Sequence, residues 1–247
     1  MFTTTSASLK DSLSFLTYGQ SGAGKTSLAK TFPDVSKTCV ISLENGLRSI
    51  SESDIAVYDC TVDANGKEME RHVRHDKFLH ALKIFQNQDL KDKYKYLMID
   101  SLTEVAQNLV EKVKLIYPDK KDSMKLWGDY NDAMLNIVKS IRDLKGYTIV
   151  VTALDKVDKD EFNRRFHAVD IAGKISDRLP AFFDEVFYLG QFEINDKKER
   201  LLLTQNYETY VAKDRSGKLD LFEKPDLKTI ITKIVSKETK QGEKKWI

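Results

Sequence analysis

The sequence predicts an α/β fold, a mostly parallel sheet flanked by helices, with antiparallel strands added in the C-terminal third. Three observations predict it. Short apolar, β-branched runs alternate with stretches of helical periodicity through the first two-thirds of the chain, the pattern of strands joined by crossover helices. No internal repeat or low-complexity tract interrupts that alternation. In the last third, Glu185 to Glu193 and Glu199 to Thr204 flank Asn195-Asp196-Lys197-Lys198, a polar turn suited to a hairpin and too short for a crossover.

Ser12 to Tyr18 reads as the first strand. Lys25 to Thr31 begins a helix that must stop before Pro33, because the residue preceding proline is driven out of the helical region. Thr38 to Leu43 and Ile55 to Cys60 are the next two strands. Arg71 to Gln86 carries Val73, Phe78, Leu79, Leu82 and Phe85 at near-helical spacing, and Tyr94 to Ile99 follows as a strongly apolar strand. Helices flank a loop at Pro118, the second over about Gly128 to Leu144, leading into the β-branched run Tyr147 to Thr152. Tyr207 to Lys213 adds a further strand and Pro225 to Val235 a closing amphipathic helix. The 247 residues suit one substantial domain, a core over 1–224 with a C-terminal helix and basic tail over 225–247.

Composition excludes several classes. The chain is 41% hydrophobic and 32% charged with four prolines, unlike a disordered or collagen-like chain. No apolar run approaches the ~20 residues of a membrane helix, so no membrane partner is expected. Met1 to Asp11 hold no basic segment followed by an apolar one, the mark of a secretory leader, so the expected location is the cytoplasm, that of the host if the source is viral. Forty basic against 38 acidic side chains give a formal charge of +2, too balanced to mark a nucleic-acid binder without local patches. Cys39 and Cys60 lack metal-ligand spacing and sit in apolar runs, so they read as buried reduced thiols. His72, His75 and His80 fall on one predicted helix, but His75 and His80 are five positions apart and do not share a face, so no metal site is expected there.

Between the first strand and the first helix, Gly19-Gln20-Ser21-Gly22-Ala23-Gly24-Lys25-Thr26 matches the eight-position P-loop pattern in the context that motif requires. Its glycines allow a tight turn whose N–H groups point inward at phosphate oxygens, and the helix start at Thr26 and Ser27 adds partial positive charge. Lys25 is expected on the β- and γ-phosphates and the Thr26 hydroxyl on Mg²⁺, so the motif implies a nucleoside triphosphate with Mg²⁺. The metal also needs a carboxylate, expected at the end of a buried strand beside the first. Tyr96-Leu97-Met98-Ile99-Asp100 supplies it, with Asp100 emerging at the carboxyl edge of the sheet, where open α/β sheets bind ligands. Ser101 either hydrogen-bonds this constellation or caps the following helix. No Asn-Lys-x-Asp guanine-reading motif appears; Leu154-Asp155-Lys156-Val157-Asp158 only approaches its spacing.

In Val40-Ile41-Ser42-Leu43-Glu44-Asn45-Gly46 a carboxylate stands at the end of the strand that follows the P-loop helix. Together with Asp100-Ser101 this segment resembles the RecA-like P-loop ATPases, in motif order from Leu13 to about Leu221. The resemblance implies that Glu44 orients the water attacking the γ-phosphate, as general base; Glu104 is the runner-up, since other P-loop classes place the base nearer that position. It implies that Thr152, in Ile149-Val150-Val151-Thr152-Ala153, is the polar γ-phosphate sensor, although this chain has Leu154-Asp155 where many relatives have histidine or glutamine. Lys213-Asp214-Arg215 resembles the lysine-x-arginine finger that some relatives insert into a neighbour's nucleotide site; a solvated basic turn is the alternative. The stretch Asp155 to Lys174 occupies the place of the family's second DNA-binding loop. There Lys156, Lys159, Arg164, Arg165 and Lys174 interleave with Phe162 and Phe166, which suits single-stranded nucleic acid, while Asp155, Asp158, Asp160, Glu161 and Asp170 offset the charge and leave a simple solvated loop as the alternative. Lys112 to Lys125 is a second candidate surface.

More narrowly, a minimal core with Trp127-Gly128-Asp129-Tyr130 before a helix is similar to the compact bacteriophage ATPases grouped with recombination and single-strand annealing proteins. That resemblance implies an ATP-hydrolysing protein that binds single-stranded DNA in phage recombination, annealing or replication. A finger acting in trans also needs a neighbour, hence self-association as a ring or filament. Two other readings stand beside it: a nucleotide-dependent assembly switch with little hydrolysis, and a small-molecule or nucleotide kinase, for which no basic lid of familiar form is found.

Overall fold

In the computed structural model, residues 12–44, 46–159, 161–173, 175–194 and 196–236 are described, Lys120 by its backbone alone. The N-terminal segment Met1 to Asp11, Asn45, Asp160, Lys174, Asn195 and the basic tail beyond Ser236 lie outside the described residues.

Among the described residues ten strands form one sheet: β1 (Ser14–Gly19), β2 (Thr38–Ser42), β3 (Ala56–Asp59), β4 (Tyr96–Asp100), β5 (Thr148–Lys159), β6 (Arg165–Val169), β7 (Glu185–Ile194), β8 (Lys197–Leu203), β9 (Lys213–Asp214) and β10 (Phe222–Glu223). The order across the sheet is β10-β8-β7-β1-β5-β4-β2-β3. From β3 to β7 every neighbouring pair is parallel, and β8 and β10 continue the sheet antiparallel. β6 folds back on β5, and β9 pairs with the start of β7, both antiparallel. The helices are α1 (Arg71–Ile84), α2 (Gln88–Lys93), α3 (Leu102–Ile116), α4 (Ser123–Arg142), α5 (Ile175–Arg178) and α6 (Leu227–Val235). Among the described residues no helix is long and apolar enough to cross a membrane.

Strand residues alternate between two cores, because successive side chains leave opposite faces of a sheet. Leu16, Ile41, Leu97, Ile99, Ile149 and Val151 face one core, shared with Phe78 of α1, Val105 of α3 and Met134 of α4. Phe15, Val40, Met98, Val150 and Phe187 face the other, with Leu28, Phe32 and, from α6, Leu227, Ile230 and Ile234. Covering both faces is why the parallel strands read as unbroken apolar runs. Cys39 and Cys60 are free, buried thiols, which burial pushes up to about 12.

Several expectations are corrected. Lys25 to Thr31 forms a 3₁₀ helix over Thr26–Thr31: only six residues separate Lys25 from Phe32, which is extended at φ −61°, ψ 152° before Pro33, and the turn tightens through the Leu28 N–H to the Lys25 carbonyl, 3.1 Å. β4 does not lie beside β1. β5 separates them, since its Ile149–Val151 core is apolar on both faces and fills a central position. The stretch from Asp155 is not one loop: β5 runs on to Lys159 and pairs with β6 from Asp155↔Val169 to Lys159↔Arg165. Tyr207 to Lys213 is not a strand. Glu208 takes φ +49°, and Tyr207 and Tyr210 exchange backbone hydrogen bonds of 3.2 and 2.9 Å across a turn, leaving a single bridge from Tyr210 to His167 and the two-residue strand Lys213–Asp214. The helix expected from Gly128 begins at Ser123.

Candidate nucleotide-binding site

The site forms at the carboxyl edge of the parallel strands, where β1, β2 and β4 end and β5 leaves the parallel sheet. β1 delivers Gly19 against β7 so tightly that a methyl group on Gly19 would fall 2.3 Å from the Leu189 carbonyl oxygen. Only glycine fits there. The chain then turns, with the Ala23 N–H donating to the Gln20 carbonyl at 3.2 Å, and passes through Gly24 at φ +96°, a conformation that other residues rarely adopt. The Lys25 side chain is nine-tenths buried and curls back inside the loop, its Nζ donating to the Gly19 and Gln20 carbonyls at 2.9 Å each. Burial lowers its pKa, and Asp100, Glu44 and Asp155 draw it back up.

Asp100 is the hub of the polar groups beneath the loop. The Thr26 hydroxyl donates to its Oδ2 at 2.7 Å, and the Thr152 hydroxyl donates to its Oδ1. Thr152, expected as the γ-phosphate sensor, is fully buried and spends its proton on Asp100. The strand inserted between β1 and β4 therefore orients the aspartate that the sequence had placed beside β1. Thr103 in turn accepts from the Leu154 N–H at 2.9 Å, tying β5 to α3.

Ser42↔Asp100 pairing carries β2 and β4 to the same height, and the Leu43 N–H donates to the Asp100 carbonyl at 2.7 Å. Glu44 and Ser101 thus emerge side by side. The Ser101 hydroxyl donates to Glu44 Oε1 while its oxygen accepts from the Glu104 N–H at 3.4 Å, so Ser101 fills both roles considered for it. Glu44 is half-buried, and its carboxyl is raised above the ordinary range, first by burial and then by the charges of Asp100 and Glu104, against the Ser101 hydrogen bond and Lys25. Glu104, the alternative base, is held elsewhere: Arg71 of α1 grips its Oε2 at 3.0 Å.

Where β5 leaves the parallel sheet the structure brings in a residue the sequence reading missed. His167, from β6, sets Nδ1 2.8 Å from Asp155 Oδ2 and stacks on Tyr210 at 4.2 Å. Burial raises the Asp155 carboxyl; His167, Tyr188 and Lys25 lower it. An imidazole thus stands where the chain itself offers only Leu154-Asp155. The signal was non-local, a β5–β6 pairing that one sequence does not display.

The remaining predicted residues lie apart. The β5–β6 hairpin projects beyond the edge, with Lys159, Arg164 and Arg165 exposed, Phe162 70% exposed and the Arg164 guanidinium 5.1 Å from its ring centre. Lys156 instead leans back on the Ile171 carbonyl at 3.3 Å and pairs with Asp158 at 3.4 Å. Lys112 and Lys125 are paired with Asp76 and Asp122. Lys213 and Arg215 stand at the opposite edge of the sheet, where Asp214 pairs with Glu185 at the start of β7. Lys213 Nζ donates to the Pro180 and Phe183 carbonyls at 2.5 Å each, and Arg215 Nη1 meets Asp184 at 2.8 Å. His72 sits beside Glu70, His80 beside the Tyr58 hydroxyl, and His75 is buried, three separate surroundings.

The donors present fit a nucleotide phosphate chain with its divalent cation. A glycine-lined turn holds a buried ammonium whose present acceptors are only loop carbonyls, next to a hydroxyl–carboxylate pair of oxygen ligands suited to a hard cation. Among solved structures, similar ones include a KaiC-like protein of the hyperthermophilic archaeon Pyrococcus horikoshii, at 17% identity and TM-score 0.39 over 78% of each chain. Another is an ATPase from the type III secretion system of pathogenic bacteria, at 17% identity and TM-score 0.49 over 73% of this chain and 52% of that one, so this chain spans about half its length. No curated protein matches the sequence. The family described as AAA domain matches residues 11–216; with the P-loop between β1 and its helix and a mostly parallel sheet extended by antiparallel strands, the chain belongs to that family and has a RecA-like P-loop NTPase fold.

Proposed function

We propose that the chain is a Mg²⁺-dependent ATPase whose nucleotide state governs binding to single-stranded DNA, in recombination, annealing or replication of the kind bacteriophages carry out. The observation that carries the reading is the meeting of Lys25, Thr26, Asp100 and Glu44 at one sheet edge. The backbone of Gly19 to Ser27 and the Lys25 ammonium bind the phosphates. Thr26 and Asp100 would hold Mg²⁺, which would supply positive charge to offset that of the phosphates. Glu44 accepts a proton from water as its oxygen bonds to the γ-phosphorus and the bond to the β–γ bridging oxygen breaks, leaving ADP and phosphate. Burial favours this role, since a carboxyl of raised pKa is a stronger base than an exposed one.

The DNA reading rests on the hairpin tip, where Lys159, Arg164 and Arg165 offer charge to phosphates and exposed Phe162 offers a face to bases. Turnover of ATP measured with and without single-stranded DNA, across protein concentration, tests catalysis, partner and assembly together. The expected result is stimulation by DNA and a rate per protomer that rises with concentration. A rate indifferent to DNA, with no DNA binding in low salt, overturns that part of the proposal.

A second reading, a nucleotide-dependent assembly switch with little hydrolysis, is favoured by the hold on Lys213 and Arg215. For these to act as a finger in a neighbour's site, both must leave partners within their own chain. A switch predicts ATP-dependent assembly with turnover that does not change with protein concentration.

A further inference from the structure

Two glycines of the phosphate loop are covered by the same hairpin, β7–β8. Gly19 abuts the backbone of β7 at Leu189; Gly24 abuts a side chain of β8, Arg200. A methyl group on Gly24 would fall 2.6 Å from Arg200 Nη1 and 3.3 Å from its Cζ, so the guanidinium lies directly on the residue that precedes Lys25. The strand pattern explains its direction. Leu202 belongs to the core that holds Leu28 and Ala29 of the phosphate-loop helix, and Arg200, two residues earlier, projects to the same face. Its register opposite Gln191 sets it beyond the end of β1, above the edge of the sheet.

Arg200 is exposed, and among the described residues no carboxylate pairs with it. Arg71, Arg74, Arg142 and Arg215, by contrast, each hold an acid. Around the loop the acids outnumber the nearest cation: Asp100, Glu44 and Asp155 all act on Lys25. A polyphosphate entering that field meets carboxylates, and a second fixed positive charge offsets them. A guanidinium supplies it as a planar, permanently charged donor matched to phosphate oxygens.

We propose that Arg200 is a phosphate-binding residue of the nucleotide site, supplied by the chain's own β8 over Gly24, and that it favours the triphosphate over the diphosphate. The inference rests on the nucleotide-binding reading above. Equilibrium binding of Mg-ATP and Mg-ADP to the full chain, to Arg200→Ala and to Arg200→Lys tests it, with melting temperatures recorded without nucleotide. Arg200→Ala is expected to weaken ATP about 10- to 100-fold and ADP less, with an unchanged melting temperature, and Arg200→Lys to recover part of the loss. Equal weakening of both nucleotides, or unchanged affinity for ATP while the parent chain binds it, overturns the role of Arg200 and leaves the nucleotide site standing. Failure of the parent chain itself to bind either nucleotide overturns both.

Discussion

The two edges of the parallel sheet use the same residue types to opposite ends. At the amino edge, Lys213, Arg215, Asp184, Glu185 and Asp214 satisfy one another and nearby backbone: Glu185 accepts from the Arg215 and Ser216 N–H groups at 3.2 Å each, and Lys213 is spent on two carbonyls. At the carboxyl edge, Lys25 is held only by carbonyls of the loop it fills, Glu44 is half-buried on a single side-chain hydrogen bond, and Arg200 lies on Gly24. Lys213 and Lys25 each donate to two carbonyls, so the difference lies in what stands beside them: Arg215 paired with Asp184 at one edge, a glycine turn over the Thr26–Asp100 hydroxyl–carboxylate pair at the other. The contrast predicts that substitutions at the carboxyl edge change nucleotide chemistry, and those at the amino edge change stability while sparing it.

The largest effect is expected from Lys25→Ala, which removes the ammonium from the phosphate site. Mg-ATP turnover should fall by a hundredfold or more, about the loss of one preorganised charge donor. Asp100→Asn should follow, with about a hundredfold loss of turnover and a raised Mg²⁺ requirement in a metal titration, since Thr152 and Thr26 both direct their hydroxyls at that carboxylate.

At the amino edge the largest effect is one of pH on stability. Glu185 is pushed from 4.5 up to about 8, by burial first and by Asp214 next. A carboxyl whose pKa is higher folded than unfolded stabilises the fold when protonated, fully below the unfolded value and progressively less as pH rises through the folded one. Thermal unfolding should therefore weaken between about pH 5 and pH 9 by on the order of a few kcal/mol, and Glu185→Gln should flatten that dependence. Lys213→Ala leaves two carbonyls without their donor and should cost about 1–3 kcal/mol in urea unfolding. Arg215→Ala removes a pair whose arginine side chain is 59% exposed and should cost within about 1 kcal/mol. If Lys213→Ala instead spares stability and lowers turnover only at high protein concentration, the two edges are not separate and the finger reading holds.

What the sequence disclosed was local. Gly19 to Thr26 names a phosphate loop because eight consecutive residues and one strand-to-helix junction suffice. Asp100 was legible because an apolar run ends on it, and Glu44 because a resemblance assigned a role to its place after β2. The unread features depend on strands distant in the chain. That β5 lies between β1 and β4, that Thr152 therefore turns to Asp100, that His167 closes on Asp155, and that Arg200 of a charged strand end reaches Gly24 are all consequences of pairing across 12 to 176 positions. Lys213 and Arg215 show the converse: their spacing suggested a shared function, while their partners, at 180–185, are invisible to spacing.

Glu44→Gln tests the central claim most directly, with Mg-ATP binding and turnover measured on the same samples across pH. The account predicts retained binding and turnover lower by about 10²–10⁴-fold. It also predicts a parent rate that climbs as pH rises through a Glu44 pKa above the ordinary glutamate value, a climb the variant lacks. Unchanged turnover in Glu44→Gln, with the same pH profile as the parent, would contradict it.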